Sequence, residues 1–398
     1  MSDIVILAYS GGLDTTIAIS WLKEKYGMDV IAMVADVGQN EDLNEISLRA
    51  RKNGAVESPI VDLKLELVND FIAPCIKANA KYEGKYPLVS AISRPLIAKK
   101  LVQLAKMHGA KVVSHGCTAK GNDQIRFDVS IMLLDPDLKI IAPAREWNMS
   151  REEEIDYADS RGLSLPITKN KPYSIDENIW GRSIECGVLE DPWVEPPEDI
   201  FSLSQKKGRK EHDYIELEFE SGLPVKVDGN SIDLTGIIEI CNKKAGPYSI
   251  GRIDMIEDRV VGIKSREIYE CPASTVILAA HAELETLVLP KEVLDYKAGV
   301  DRLYADLVYS GKWFSPLKSA LDDFIKNTQQ RVSGNVVIKL QDNSMMVVGR
   351  RSPYSIFDMD LATYRHNYQF FDSSSEGFIN LFGLQMRQWS KLGGAKDE

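Results

Sequence analysis

The stretch Ala8-Tyr9-Ser10-Gly11-Gly12-Leu13-Asp14-Thr15-Thr16 decides how the chain is read. Before it, Ile4 to Ala8 is an unbroken apolar run that predicts a strand. After it, Ile17, Trp21 and Leu22 share one face of a predicted helix ending near Gly27. Consecutive glycines at a strand-to-helix junction let the backbone approach an anion closely. The free amides and positive dipole end of the helix then stabilise phosphate charge, assisted by the Ser10, Thr15 and Thr16 hydroxyls. A tight turn that merely needs glycine is the bland alternative for an isolated pair.

No lysine follows the glycines, so the Walker A arrangement is missing and transfer of a γ-phosphoryl group is disfavoured. The dinucleotide pattern GxGxxG is missing too, although Asp36 stands about where a ribose-binding acid would; it reads as a strand-end residue. Outward from the loop, Val30 to Ala35 predicts a second strand and Lys111 to Ser114 a later one. Helical stretches surround Ile46 to Ala50 and Ile97 to Met107. Alternation of this kind implies an α/β fold with a doubly wound parallel sheet. Gly, Pro, Asn and Lys between Gly162 and Pro172 mark a domain boundary. Beyond it, Tyr214 to Phe219, Val225 to Val227, Val260 to Ile263 and Val336 to Leu340 read as strands among helices, an α+β domain. Phe378, Phe382, Trp389 and Leu392 recur at helical spacing near the C-terminus. They fit either a helix docked on its own domain or an arm packed on a neighbouring subunit. The expected division is 1–165, 166–372 and 373–398.

At 398 residues, 44% hydrophobic and 27% charged, the composition is that of a globular protein of two domains or so. No apolar run reaches membrane-spanning length and no leader-like segment opens the chain, so no membrane is expected. Five scattered cysteines without a CxxC pair suggest neither zinc nor a redox dithiol, and fit a reducing cytoplasm. A net charge of −11 argues against a nucleic-acid partner and for small substrates. Lys206 to Lys210, beside Glu211 and Asp213, reads as a solvated loop.

A second polar constellation, Ser114-His115-Gly116-Cys117-Thr118-Ala119-Lys120-Gly121-Asn122-Asp123-Gln124-Ile125-Arg126, follows the strand at Lys111. Thr118 and Asn122 can donate to a carboxylate, and Asp123 can accept from an ammonium group: a complementary set for an amino acid. Arg126, four residues after Asn122, would share its helix face. Simple capping by Asn122 or Asp123 is the alternative, and it leaves Thr118 and Arg126 unexplained. His115 is read as a satisfied turn histidine, and no residue set with metal-ligand spacing is present, so no metal site is assigned.

The string SGGxDT at such a junction resembles the signature of the ATP pyrophosphatase (PP-loop) family, whose members adenylate a substrate and release pyrophosphate. The segment HGxTxKGNDQxRF narrows the resemblance to the argininosuccinate synthase family. Tyr82-Glu83-Gly84-Lys85-Tyr86, Lys171 to Asn178, Gly187 to Pro192, Gly251 to Asp254, Lys264 to Arg266 and Tyr269-Glu270 are similar to further family segments. The likeness covers nearly the whole chain.

It implies an ATP-dependent ligation of citrulline and aspartate to argininosuccinate through citrullyl-AMP, with ATP and Mg²⁺ required and a homotetrameric assembly. It implies ATP contacts from Ala8, Tyr9, Ser10, Gly11, Gly12, Leu13, Asp14, Thr15, Thr16, Ala35 and Gly116. Aspartate falls to Thr118, Asn122 and Asp123, and citrulline to Tyr86, Asn122, Arg126, Ser174, Ser183, Glu257 and Tyr269. Asp14, Asp123 and Arg126 are assigned to the reacting centre. Ser174, Ser183, Glu257 and Tyr269 rest on the likeness alone; by themselves they read as loop, strand-end and half-buried structural residues.

The chain departs from the family pattern at Val89-Ser90-Ala91, where many relatives have Gly-Thr-Ser, and at Trp180-Gly181-Arg182 before Ser183. Cys117 replaces a usual alanine and reads as a small buried substitution. Two other readings stay open: another adenylating PP-loop ligase, and a non-catalytic nucleotide sensor.

Overall fold

The computed structural model describes residues 3–147, 149–165, 173–208, 210–363 and 372–394. Five parallel strands, β1 (Ile4–Ala8), β2 (Asp29–Asp36), β3 (Ile60–Asp62), β4 (Val112–His115) and β5 (Lys139–Ile141), form a sheet in the order β3-β2-β1-β4-β5. Val5 and Leu7 point into one core with Val30, Ala32, Val34 and Val112, while Ile6 points into the other with Ile31, Met33 and Val113. Burial on both faces explains why β1 is continuously apolar rather than alternating. From β1 the chain winds outward to β3, then returns to the other side of β1 as β4. Strand order therefore reverses between β1 and β4, and in open sheets of this kind ligands bind beyond the carboxyl ends of those two strands.

Downstream, β8 (Asp213–Glu220), β9 (Leu223–Val227), β10 (Asn230–Ser231), β13 (Gly334–Gln341) and β14 (Ser344–Arg351) make an antiparallel sheet in the order β10-β9-β8-β13-β14. Val336, Ile338 and Leu340 of β13 are fully buried while the residues between them are not, the alternation of a sheet with one covered face. A second antiparallel sheet has the order β11-β12-β7-β6, from β6 (Ser174–Asn178), β7 (Gly181–Glu185), β11 (Arg252–Asp258) and β12 (Lys264–Glu270). The strand expected at Val260 to Ile263 is instead the turn joining β11 to β12: Arg259 N–H donates to Ile263 O and Gly262 N–H to Arg259 O. Its apolar residues are exposed, so apolar content misled the strand assignment there.

The β6–β7 hairpin is docked onto the nucleotide-fold half of the chain. Ile179 N–H donates to Val37 O at 2.9 Å, the Asn178 amide to Val89 O at 2.7 Å and the Trp180 indole to Pro87 O at 2.9 Å. The Trp180-Gly181-Arg182 departure is thus a packing feature. Trp180 is wholly buried, a Cβ on Gly181 would lie 2.7 Å from Glu270 O, and Arg182 pairs with the buried Glu270 carboxylate.

By contacts the chain forms two compact units, Met1–Tyr354 and Ser355–Glu398. All three sheets belong to the first, which spans most of the two larger segments expected from sequence. In the second, helices Asp372–Phe382 and Leu384–Trp389 are separated at Gly383, across which Gly383 N–H still donates to Ile379 O and Arg387 N–H to Gly383 O, both at 2.9 Å. Phe378 and Phe382 stack at 5.3 Å within the first of these helices. Part of the predicted boundary (166–172), Arg209 of the basic loop and 395–398 of the arm lie outside the described residues.

Candidate functional site

The loop after β1 is built by its backbone. Gly11 holds φ +78°, where an L side chain is strained, and a Cβ there would lie 3.0 Å from Ile46. Gly12 is different: its φ of −74° suits any residue, and an added Cβ would meet only Ser10 Oγ at 3.5 Å. Gly12 caps the helix Leu13–Tyr26 without a side-chain hydrogen bond, so the first amides of that helix have no side-chain partner. Arg49 steadies the turn by donating to Gly11 O at 3.0 Å. Ser10 Oγ lies 3.2 Å from Thr15 Oγ1 and faces solvent. Thr16 points the other way: it is fully buried and its hydroxyl pairs with Tyr9 OH at 3.1 Å, so that side chain serves the fold rather than a ligand.

Gly116, leaving β4, touches this loop. A Cβ on it would come 2.5 Å from Thr15 Cγ2 and 3.7 Å from Asp14 Cβ, so only glycine allows the two loops to meet. Ala35 closes the end of β2, its carbonyl accepting from Gln39 at 2.8 Å. Asp36 accepts from Gly38 N–H at 3.1 Å and pairs with Lys64, in keeping with a strand-end role. A residue with no sequence signal, Glu154, faces Asp14 from the helix Arg151–Ser160; burial, then the neighbouring Asp14, push its carboxyl up to about 8.

Past Gly116 the polar loop turns into the helix Asp123–Leu134. His115 is buried, donates through Nε2 to Asp128 at 2.8 Å and accepts the Cys117 amide on Nδ1, as a turn histidine should. Asn122 makes no side-chain cap, which removes capping as its reason for being there. Its Nδ2 donates to Tyr309 OH at 2.7 Å and its Oδ1 accepts from Val260 N–H at 2.9 Å, leaving one amide hydrogen for a ligand. Asp123 lies between two arginines: Arg94 Nε donates to Oδ2 at 2.7 Å and Arg126 Nη1 to Oδ1 at 2.8 Å. Burial disfavours its charge, yet the two guanidiniums outweigh burial and hold the carboxyl below the usual range. Such a group orients donors and is a poor proton acceptor. Arg94 also bridges to Asp176 of β6 at 2.7 Å. Thr118 is exposed.

The remaining predicted residues converge from distant segments. The rings of Tyr86 and Tyr269 stack at 4.2 Å, and Tyr86 OH accepts Ser90 N–H at 2.9 Å. Tyr269 is fully buried rather than half-buried, and donates to Glu257 at 2.5 Å. Ser183 sits opposite Tyr269 in the β7–β12 register, and its Oγ lies 3.2 Å from Ser90 Oγ. Ser90 therefore supplies a hydroxyl where Ala91, itself wholly buried, has none. Cys117 is half-buried rather than buried, with a thiol pushed up by burial and by Asp123. Ser174 is exposed at the start of β6, at the rim of this group. Sequence reading missed Arg94, Asp176, Tyr309 and Glu154. Of these only Asp176, within Lys171 to Asn178, belonged to a segment it had singled out.

Residues 4–164 match the family model described as Arginosuccinate synthase N-terminal HUP domain, and residues 173–389 match Arginosuccinate synthase C-terminal domain. A protein named Argininosuccinate synthase from Dictyoglomus turgidum is 56% identical over 98% of this chain and 98% of its own length. Its namesake from Dictyoglomus thermophilum is 55% identical over 99% of each, and that from Symbiobacterium thermophilum 51% identical over 97% of each.

Proposed function

Because the chain belongs to the argininosuccinate synthase family, we propose how its two adjoining loops divide the family's reaction. The protein is an ATP-dependent carbon–nitrogen ligase of arginine biosynthesis. It joins citrulline to aspartate through citrullyl-AMP and releases AMP and pyrophosphate. The observation that supports the site assignment is the close approach of Gly116 to Thr15, with the segment Thr118 to Arg126 following directly in the chain.

ATP lies with its β and γ phosphates on the amides from Ser10 to Thr15, in reach of the helix dipole, and near Ala8, Ala35 and Gly116; the Thr16 amide already donates to Gly12 O at 3.0 Å. Among the described residues no group of three or more His, Cys, Asp or Glu side chains could hold a metal ion. Mg²⁺ would therefore rest mainly on the phosphates with Asp14 as the available carboxylate, a usual mode for this ion, and would neutralise the leaving diphosphate. Citrulline occupies the pocket of Tyr86, Asn122, Arg126, Ser174, Ser183, Glu257 and Tyr269, with Ser90 taking over the hydroxyl that Ala91 lacks. Its ureido oxygen attacks the α phosphorus, which turns that oxygen into a leaving group. The aspartate amine, held by Thr118, Asn122 and Asp123, then attacks the activated carbon and expels AMP. Asp123, locked by Arg94 and Arg126, orients and does not take the amine proton, which leaves with a phosphate oxygen of the departing AMP. Alignment of the reactants and charge stabilisation carry the catalysis, and no covalent enzyme intermediate is needed.

We place the functional division near residue 165, a homotetrameric assembly on the arm beyond residue 372, and the enzyme in the cytoplasm, where its five free cysteines would stay reduced. Among the described residues, no helix is long and apolar enough to cross a membrane. The test is citrulline labelled with heavy oxygen in its ureido group, incubated with protein, Mg-ATP and aspartate. Label is expected in AMP; ADP, or unlabelled AMP formed equally well without citrulline, refutes the assignment.

A further inference from the structure

We propose that Tyr309 is a positioning residue of the amino-acid pocket, its hydroxyl fixing Asn122 and Glu257 relative to one another. This rests on the function proposed above and adds a residue to it. Tyr309 ends the helix Lys291–Tyr309 and is almost wholly buried. It meets Asn122 across 187 positions of sequence, Arg126 across 183 and Glu257 across 52.

The direction of every bond is determined. Asn122 Oδ1 accepts the Val260 amide at 2.9 Å, so Nδ2 is the atom facing Tyr309 and donates to its oxygen at 2.7 Å. Having accepted there, the phenol has one proton left and gives it to Glu257 Oε1, while Tyr269 donates to Oε2 at 2.5 Å. Each oxygen of the Glu257 carboxylate is thus held by its own tyrosine. Burial, then the adjoining Glu257, push the Tyr309 phenol well up, so it remains a donor and never serves as a base. The same residue steadies Arg126. Its carbonyl accepts Arg126 Nε at 2.9 Å, and its ring lies 4.8 Å from the guanidinium carbon. On the ring, Tyr82 stacks at 3.5 Å with the planes 4° apart.

Three residues assigned to citrulline or aspartate, from the helix Asp123–Leu134, its cap and β11, therefore share one support. Phenylalanine keeps the ring and its stack and removes only the hydroxyl. That leaves a Glu257 oxygen and an Asn122 hydrogen short of a partner, a loss that hydrogen bonds to charged groups make expensive.

The test is Tyr309→Phe in the full-length enzyme, with kcat, the three substrate KM values and Tm measured beside Tyr304→Phe. Tyr304 lies on the same helix, is equally buried, and donates to Asp322 at 2.9 Å, outside the pocket. Y309F is expected to raise the KM for citrulline and for aspartate about tenfold each while the KM for ATP stays within about twofold. Y304F is expected to leave all three unchanged. Unchanged amino-acid KM values in Y309F, a parallel rise in the ATP KM, or the same pattern in Y304F overturns the proposal. Should Y309F not fold, 3-fluorotyrosine at position 309 keeps ring and hydroxyl but strengthens the donor. A citrulline KM shifted about twofold at constant Tm supports the role, and no shift overturns it. A wild-type protein that forms no citrulline-dependent AMP refutes the functional reading itself, whereas an active wild type with an indifferent Y309F refutes only the role of Tyr309.

Discussion

The phosphate loop and the amino-acid pocket adjoin, yet they are made in opposite ways. The first is nine consecutive residues whose backbone is proposed to do the binding, with two glycines at its centre and no cationic side chain among them. The second is a lattice of side chains, Arg94, Asp123, Arg126, Asp176, Asn122, Tyr309, Glu257 and Tyr269, drawn from helices and strands far apart in sequence. A diphosphate, whose charge is all of one sign, is gripped well by amides and a helix dipole. Two zwitterionic amino acids present charges of both signs, and discrimination among them requires charged partners fixed in place.

The contrast breaks most visibly at Asp123. Asp123→Asn leaves the half-buried Arg94 and the buried Arg126 without their shared counter-charge. It is expected to lower urea-unfolding stability by about 3 kcal/mol and to reduce kcat/KM for aspartate by at least about a hundredfold. Denaturant titration and initial rates measure the two effects. If only the rate suffers, the side-chain lattice is not what holds the pocket together.

Gly12→Ala probes the other region. Since Gly12 has a backbone conformation open to any residue and free space at its Cβ, the fold should accept alanine, with Tm lowered by about 5 °C or less for the weaker cap. ATP affinity is expected to fall about tenfold because the methyl group stands where phosphate approaches. Fluorescence-detected nucleotide binding beside thermal melting distinguishes the two. Retained affinity would mean that the backbone approach is not what the glycine provides.

The smallest effect belongs to Glu154, the one carboxyl poised behind the phosphate loop. Its ordinary pKa near 4.5 is raised to about 8 in the folded chain by burial and by Asp14. The native chain thus keeps a proton that the unfolded chain gives up, so stability falls as pH rises between those two values. Glu154→Gln is expected to match the parent at pH 5 and to melt about 3 °C higher at pH 9. Equal melting temperatures at both pH values would show that this carboxyl does not stay protonated.

Legibility in the sequence follows the same contrast. β1, the glycine turn and the helix after it are local, and their apolar run, paired glycines and helical spacing state the arrangement outright. The residues Thr118 to Arg126 stood out in the sequence as a candidate ligand segment because they are dense and contiguous. Glu257, Tyr269 and Ser183 carry no such mark; they were assigned only through family likeness, and Tyr309 and Glu154 escaped altogether. Nothing near Tyr309 says that a helix end will meet a residue 187 positions earlier. The strand expected at Val260 to Ile263 failed because apolar residues exposed in a turn look like strand residues until their neighbours are known.

The short run from Gly116 to Arg126 bears on modularity. It leaves the parallel sheet, brushes the loop after β1 at Thr15 and within a few residues carries the anchors proposed for both amino acids. A chimera cut near residue 165 would carry those anchors away with the wrong parent and separate them from Glu257 and Tyr309. Halves exchanged between relatives would function together only if this run and its partners on β11 and the helix Lys291–Tyr309 were inherited as a set.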